Sequence, residues 1–191
     1  MRVPAPIPVR PSGWRWRVAQ AVLWLLYGRK YHDVSPWKNA GVACAGIFHH
    51  HGKVLLALRA GAVEHAGCYG LIGGFLDCAA SEDLGPALAR EVREECGVQV
   101  NAAAFTRHNV RTAYMWHGRE MHEKKDYSTL CLFWWYEMAE AEIQSLQTLD
   151  ETAGFIWVNA PQFEEMVAAG QIPFRDTQCA VRDFFAEATT R

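Results

Sequence analysis

Several features are absent from the 191 residues. The apolar stretch near the start, Val18–Tyr27, is ten residues long, about half of the roughly 20 that a membrane-spanning helix requires, so no membrane span is expected. Six cysteines, at 44, 68, 78, 96, 131 and 179, include no C-x-x-C pair and share no ligand spacing with the eight histidines. That pattern argues for reduced thiols and a cytoplasmic protein, and against zinc or a disulfide scaffold. No segment repeats at a period of roughly 20–50 residues, which excludes solenoids and propellers. A signal peptide is not expected either. The early arginines and apolar stretch superficially suggest one, but Pro4, Pro6, Pro8 and Pro11 interrupt the first twelve residues and no small-residue cleavage site follows Tyr27.

Hydrophobic residues make up 50% and charged residues 21%, a globular composition with length for one well-buried domain. The formal charge of −2 hides a split. Residues 1–40 carry Arg2, Arg10, Arg15, Arg17, Arg29, Lys30 and Lys38 against Asp33 alone, a formal +6 that leaves −8 for the remainder. An acidic body argues against nucleic-acid binding, which needs a positive surface to displace counterions from phosphates. It remains compatible with phosphate chemistry if it holds divalent metal.

The division expected is a basic N-terminal arm with an accessory helix over 1–40 and one domain over 41–191. Trp14–Tyr27 reads as a helix whose apolar residues almost circle its axis, so it must bury against something, and packing on protein is favoured over membrane contact. A dimer interface is its candidate role. From Gly41 onward, Gly41–His49 and Lys53–Arg59 read as strands around a His50-His51-Gly52 turn. Neighbouring residues there point in different directions, so the three consecutive histidines read as a solvated turn rather than a metal site. Strand-like segments are expected at about 98–113 and 126–138, the latter covered on both faces, and another at Gly154–Val158. Trp134 and Trp135 read as core. Two helices, about 160–169 and 176–188, complete an α/β chain with a mixed sheet between helical layers.

The segment with chemical content runs from Gly73 to Val98. Gly73-Gly74 allows close backbone approach, Asp83 is a good N-cap, Pro86 sits in the first helical turn and Gly97 stops the helix. At 100° per residue Leu88, Ala89, Val92 and Cys96 form an apolar arc, and Glu91, Glu94 and Glu95 fall on the neighbouring one. Glutamates also populate ordinary solvated helix faces, often beside arginines. However, like charges three and four positions apart repel unless a cation sits between them. All-oxygen ligation suits hard ions such as Mg²⁺ or Mn²⁺. Spacing alone leaves both readings open.

Glu82, seven residues, then Arg90-Glu91-Val92-Arg93-Glu94-Glu95-Cys96-Gly97-Val98 resembles the Nudix hydrolase box, G-x5-E-x7-R-E-U-x-E-E-x-G-U, where U is aliphatic. Every specified position from Glu82 onward matches. Upstream, seven residues rather than five separate Gly74 from Glu82. The resemblance covers roughly Gly41 to Phe185 and implies a Nudix-like α/β/α sandwich with a mixed sheet. It implies that Glu91, Glu94 and Glu95 bind divalent metal, Mg²⁺ or alternatively Mn²⁺, with the Gly73 carbonyl joining them. Glu82 and Arg90 would form a structural salt bridge. Glu151, before Phe155-Ile156-Trp157-Val158, fits a further metal ligand or general base; Glu120 and Glu123 are competing candidates that also read as loop charges. Arg59 resembles a substrate-contacting arginine, though an exposed strand-end residue explains it equally well. The catalytic set implied is Glu94, Glu95 and Glu151, acting on a nucleoside diphosphate linked to another group. A nucleotide sensor or binding module without catalysis is the rival. It is disfavoured because the box glutamates are complete and no DNA-binding segment is seen in the 40 residues before the domain. An isomerase on the same fold has no specific support. The aromatics Tyr114, Trp116, Tyr127 and Phe174 are candidates for stacking on a base or for packing.

Overall fold

The structure, a computed structural model, describes residues 39–61, 65–76, 82–117 and 127–188, together with Val18, Ala21, Val22 and Leu25. Contacts divide the chain into two compact units, Met1–Ala40 with His117–Ser128, and Gly41–Trp116 with Thr129–Arg191. In the first unit the four described N-terminal positions are helical, and Val18, Val22 and Leu25 are exposed. Among the described residues no helix is long and apolar enough to cross a membrane.

The second unit carries the sheet. Strands β1 (Asn39–His50) and β2 (Lys53–Arg59) form a hairpin, His49 facing Val54 and His50 facing Lys53. Its turn is tighter than the sequence suggests. His50 belongs to β1, leaving His51 and Gly52, whose φ of 47° and 73° are the paired positive values of a two-residue primed turn. Beyond the turn the strands part. β1 pairs with β4 (Ile72–Phe75) from Ala43 opposite Phe75 to Gly46 opposite Ile72. β2 pairs with β3 (Tyr69–Gly70), and on its other side with β7 (Thr152–Val158), shifting register between Leu58 and Arg59.

The seven-stranded sheet is completed by β5 (Thr112–His117) and β6 (Tyr127–Glu137), in the order β3-β2-β1-β6-β5 with β4 on β1 and β7 on β2. A Cβ at Gly41 would meet Thr129 Oγ1 at 3.7 Å, and at the far end the Met138 N–H donates to the His49 carbonyl at 2.9 Å. β1 and β6 therefore run parallel among antiparallel neighbours, which makes the sheet mixed.

Period-two alternation assigns the two faces. Cys44 and Phe48 of β1, Leu55 and Ala57 of β2 and Trp134 of β6 pack with helix α1 (Leu84–Cys96). Ile47, Val54, Leu56 and Phe133 are buried on the opposite face. There His49 and Trp135 lie 4.8 and 5.3 Å, ring to ring, from Phe184 of α4 (Arg175–Ala188), the last helix, and α3 (Ala160–Ala168) contributes Phe163. Phe133 and Trp134 are adjacent and both buried, so β6 is covered on both sides. The result is an α/β/α sandwich. Trp135 is half-buried, with Arg111 5.3 Å over its ring.

Three local expectations change. The stretch 98–111 is not a strand but an irregular connection with a 3-10 turn at Ala102–Ala104. Val98 and Val100 alternate as in a strand, yet Asn101 accepts from the Ala103 N–H and Asn109 from the Thr106 N–H, and these side chains fold the backbone locally. β3 and β4 fall in what reads as a loop. A short helix, α2 (Glu140–Gln144), follows β6; no side chain caps it at Ala139, and Glu142 reaches back to the Ala139 N–H at 2.8 Å.

The 98–111 connection lies directly on α1, since a Cβ at Gly85 would come within 2.5 and 2.7 Å of the Ala102 and Phe105 carbonyls. Helix propensity alone would make Gly85→Ala stabilising by up to about 1 kcal/mol. The contact reverses the sign, and a loss of about 1–3 kcal/mol is expected in denaturant unfolding.

Candidate metal and active site

Helix α1 forms one wall of the site. It begins where Asp83, with φ −89° and ψ 162°, accepts a hydrogen bond from the Leu84 N–H at 2.8 Å, and it ends at left-handed Gly97. Leu88, Val92 and Cys96 are fully buried, and burying a Leu or Val side chain contributes about 1.5–3 kcal/mol each. That anchoring fixes the helix's rotation and hence the adjoining acidic arc. Glu95 is buried, the one charged side chain so placed among the described residues, whereas the side chains of Glu91 and Glu94 are 14% and 51% exposed.

β4 forms the facing wall. The Gly73 N–H donates to Glu95 Oε1 at 3.2 Å. Gly73 has φ 152°, and a Cβ there would collide with the Cys44 carbonyl. At Gly74 a Cβ would fall 2.6 Å from the Glu91 carboxylate. The glycine pair thus lets two carboxylates lie against backbone. Cys44 sits beneath, its thiol 3.7 Å from the Gly74 carbonyl and pushed up to about 11, first by burial and then by Glu91.

Arg90 binds Glu82 with two prongs, Nε to Oε1 at 2.9 Å and Nη2 to Oε2 at 3.0 Å. Its Nη1 also donates to Glu91 at 2.8 Å and Glu94 at 2.9 Å, and Nη2 donates to the Phe75 carbonyl at 3.3 Å. These contacts raise the guanidinium pKa, the Glu82 bonds most.

Two further candidates come in from the sheet. Glu151 directly precedes β7, and its carbonyl accepts from the Ala60 N–H at 2.9 Å, which fixes it beside the end of β2. Arg59 closes β2, with its guanidinium carbon 5.4 Å over the Phe174 ring; His65 meets the same ring edge-on at 5.2 Å. The charges of both reach the helix. Burial pushes Glu95 up to about 8, the Gly73 N–H and Arg59 oppose it, and Glu91 and Glu151 reinforce it. Glu91 is raised as well, by burial first, against Arg90, and further by Glu94 and Glu151.

Among the described residues the helix glutamates do not yet bring three ligand atoms within 4.8 Å of one another. Arg90 draws Glu91 and Glu94 to one side while Gly73 holds Glu95. The donor set still fits a hard divalent cation: oxygen donors of one sign, partly desolvated, with burial raising the Glu91 and Glu95 carboxyls above the ordinary glutamate range. Tyr114 is occupied structurally, donating to Asp183 at 2.6 Å. Residues 77–81, Glu120, Glu123 and the side chains of Trp116 and Tyr127 lie outside the described residues. His65 has no sequence signal, because its φ of 57° and its place against Phe174 depend on the folded loop.

The NUDIX domain family matches residues 37–188, which include every residue of this site. The chain belongs to the Nudix family. Solved structures share the Nudix fold at low identity. One is a bifunctional NMN adenylyltransferase/ADP-ribose pyrophosphatase from Francisella tularensis, complexed with AMP and a manganese ion, at a TM-score of 0.59 and 15% identity over 91% of this chain and 46% of that one. The present chain thus spans less than half of that protein. Another is the NUDIX domain of NrtR from Shewanella oneidensis complexed with ADP-ribose, at a TM-score of 0.53 and 16% identity over 89% of this chain and 98% of that one. A third is a MutT protein from Methanosarcina mazei, at 0.53 and 20% over 80% and 95%. No curated protein matches in sequence.

The raised Glu95 carboxyl gives the metal-free Nudix domain a pH signature. An unfolded glutamate ionises near the ordinary 4.5 and the folded one near about 8. The stability this group lends is therefore complete below 4.5 and is lost as pH rises toward about 8. In EDTA the protein is expected to lose stability from pH 5 to 8 by an amount on the order of a few kcal/mol more than Glu95→Gln does, read from urea midpoints.

Proposed function

We propose that the protein is a hydrolase dependent on divalent metal that cleaves the diphosphate linkage of a nucleoside diphosphate joined to another group, by water attack at phosphorus. The observation that carries this reading is the placing of Glu91 and Glu95 against the Gly73-Gly74 strand, where burial first, and then the neighbouring carboxylates including Glu151, hold both above their ordinary range. Mg²⁺ is the expected ion and Mn²⁺ the alternative. When bound, such an ion neutralises the diphosphate, makes water more acidic and stabilises the leaving phosphate.

The chain's own residues bind, orient and move protons. Glu91, Glu94 and Glu95 hold the ion, and the Gly73 carbonyl is their neighbour in the ligand set. Glu95 must release its proton to ligate, so cation binding and proton release are coupled. Glu151 accepts the proton of the attacking water. As the new oxygen–phosphorus bond forms, the bond from that phosphorus to the bridging oxygen breaks, and the second phosphate leaves with the bridging oxygen. Glu82 and Arg90 keep the loop and helix in place. Arg59 supplies positive charge to the diphosphate, and the Phe174 ring beneath it offers an apolar face beside the acidic centre. The AMP and ADP-ribose in two structural relatives support a nucleotide-derived substrate.

The five described cysteines are free, which supports a reducing, cytoplasmic setting. A homodimer through the N-terminal helix would cover Val18, Val22 and Leu25, which are otherwise exposed.

A panel of nucleoside diphosphate derivatives, assayed for product release with and without Mg²⁺, tests the reading. Glu94→Gln and Glu95→Gln are each expected to lower kcat by at least about 100-fold with the far-ultraviolet circular dichroism unchanged. Full turnover by both variants refutes the metal assignment. Nucleotide binding with no Mg²⁺-dependent release identifies a sensor instead.

A further inference from the structure

The β1–β2 turn gathers a second and chemically different set of donor atoms. His50 places Nδ1 3.0 Å from the Met138 carbonyl and Nε2 3.0 Å from Glu140 Oε1. A carbonyl oxygen only accepts, so the Nδ1 contact requires its proton on that nitrogen, and the lone pair of the neutral ring on Nε2 then faces a carboxylate. Two acceptors this close require a cation between them, a proton or a metal ion. His51, turned back by its positive φ of 47°, brings its ring centroid 4.0 Å from that of His50. One ligand atom from each of His50, His51 and Glu140 then lies within 4.8 Å of the others. In an extended strand consecutive histidines face apart. The left-handed turn residue cancels that separation.

We propose that His50, His51 and Glu140 form a second metal site, which takes a borderline divalent transition ion of the Zn²⁺ class. Two imidazoles and one carboxylate suit zinc, whereas Mg²⁺ prefers a shell of oxygens such as the acidic site provides. Ligands about 2.0–2.1 Å from one ion, at angles between octahedral and tetrahedral, stand about 2.9–3.4 Å apart. The His50–Glu140 spacing of 3.0 Å already lies in that range. His51 and Glu140 are exposed, so the remaining closure needs side-chain rotation and no repacking. The Met138 carbonyl orients the His50 ring, as carbonyls commonly orient ligating histidines. Three protein ligands leave one position for water. The ion would cross-link the hairpin turn to the first turn of α2, residues 90 apart in sequence.

The test uses the full chain with Mg²⁺ at saturation, so that the acidic site is filled, and Zn²⁺ alone as the probe in calorimetry. One Zn²⁺ per chain is expected. His51→Ala and Glu140→Gln, both at exposed positions, should each weaken binding by at least about tenfold, and His50→Ala should abolish it. Co²⁺ in place of Zn²⁺ should give visible absorption bands in the wild type that both exposed-site variants lose. Failure of the wild type to bind Zn²⁺ overturns the proposal, because the His50–Glu140 contact is then a proton-mediated ion pair. Equal affinity in all variants overturns it too, because the ion then sits elsewhere.

Discussion

The guanidinium of Arg90 is the contact on which the candidate site depends. It grips Glu82 with two prongs, reaches Glu91 and Glu94, and takes the Phe75 carbonyl from the facing strand. A planar fork of five donors allows this; a lysine, with one compact charge, could not reproduce it. Even so, Arg90 does not balance the acidity around it. Glu91 is raised despite its bond to Arg90, because desolvation, with the charges of Glu94 and Glu151 added, outweighs the ion pair at that position. Glu95, farther into the core, has one backbone N–H and a distant arginine against burial and two carboxylates. The helix is therefore folded around carboxyl groups that Arg90 and the Gly73 N–H compensate only in part, which is what a bound cation is proposed to complete.

The sheet determines where that charge collects. β1 and β2 pair next to their turn and then diverge, and β4 takes β1 while β3 takes β2. Gly73 and Gly74 consequently face α1 without side chains between them. On the other side of β2, β7 delivers Glu151 next to Ala60, and the register shift at Leu58/Arg59 falls where Arg59 turns its charge on Glu95. Rigid strand ends thus carry the groups proposed to meet substrate. The hydrophobic layers beneath them fix the helix that is proposed to meet the metal.

Local signals made α1 legible in the sequence: an Asp83 cap, an apolar arc at 3.6-residue spacing and a Gly97 stop all lie within fifteen residues and agree. β6 was legible because an unbroken apolar run has few alternatives. The same reasoning failed for 98–111, where the side chains of Asn101 and Asn109 bond the backbone and override an alternating pattern. β3 and β4 have two and four residues and exist through their partners, so no periodicity could announce them. Within the site, the three helix glutamates and the Glu82–Arg90 spacing were readable from one segment. The approach of Arg59 and Glu151 depends on β2 pairing with β7 across more than 90 residues, and the meeting of His50, His51 and Glu140 depends on the turn at His51 and on the end of β6 lying beside β1, 90 residues away. Neither leaves a mark on the local sequence.

The clasp that Arg90 makes with both Phe75 and Glu82 also bears on how this chain tolerates a change of length. The two clasped residues bracket the connection between β4 and α1, so its ends are held whatever lies between them. With the ends held, two extra residues in place of a five-residue spacing cost only chain entropy, about 0.3 kcal/mol on a logarithmic loop-closure law. That is well below the value of a single buried methylene, about 0.8 kcal/mol. The connection between Phe75 and Glu82 can therefore take up such an insertion while the register of the helix behind it stays fixed.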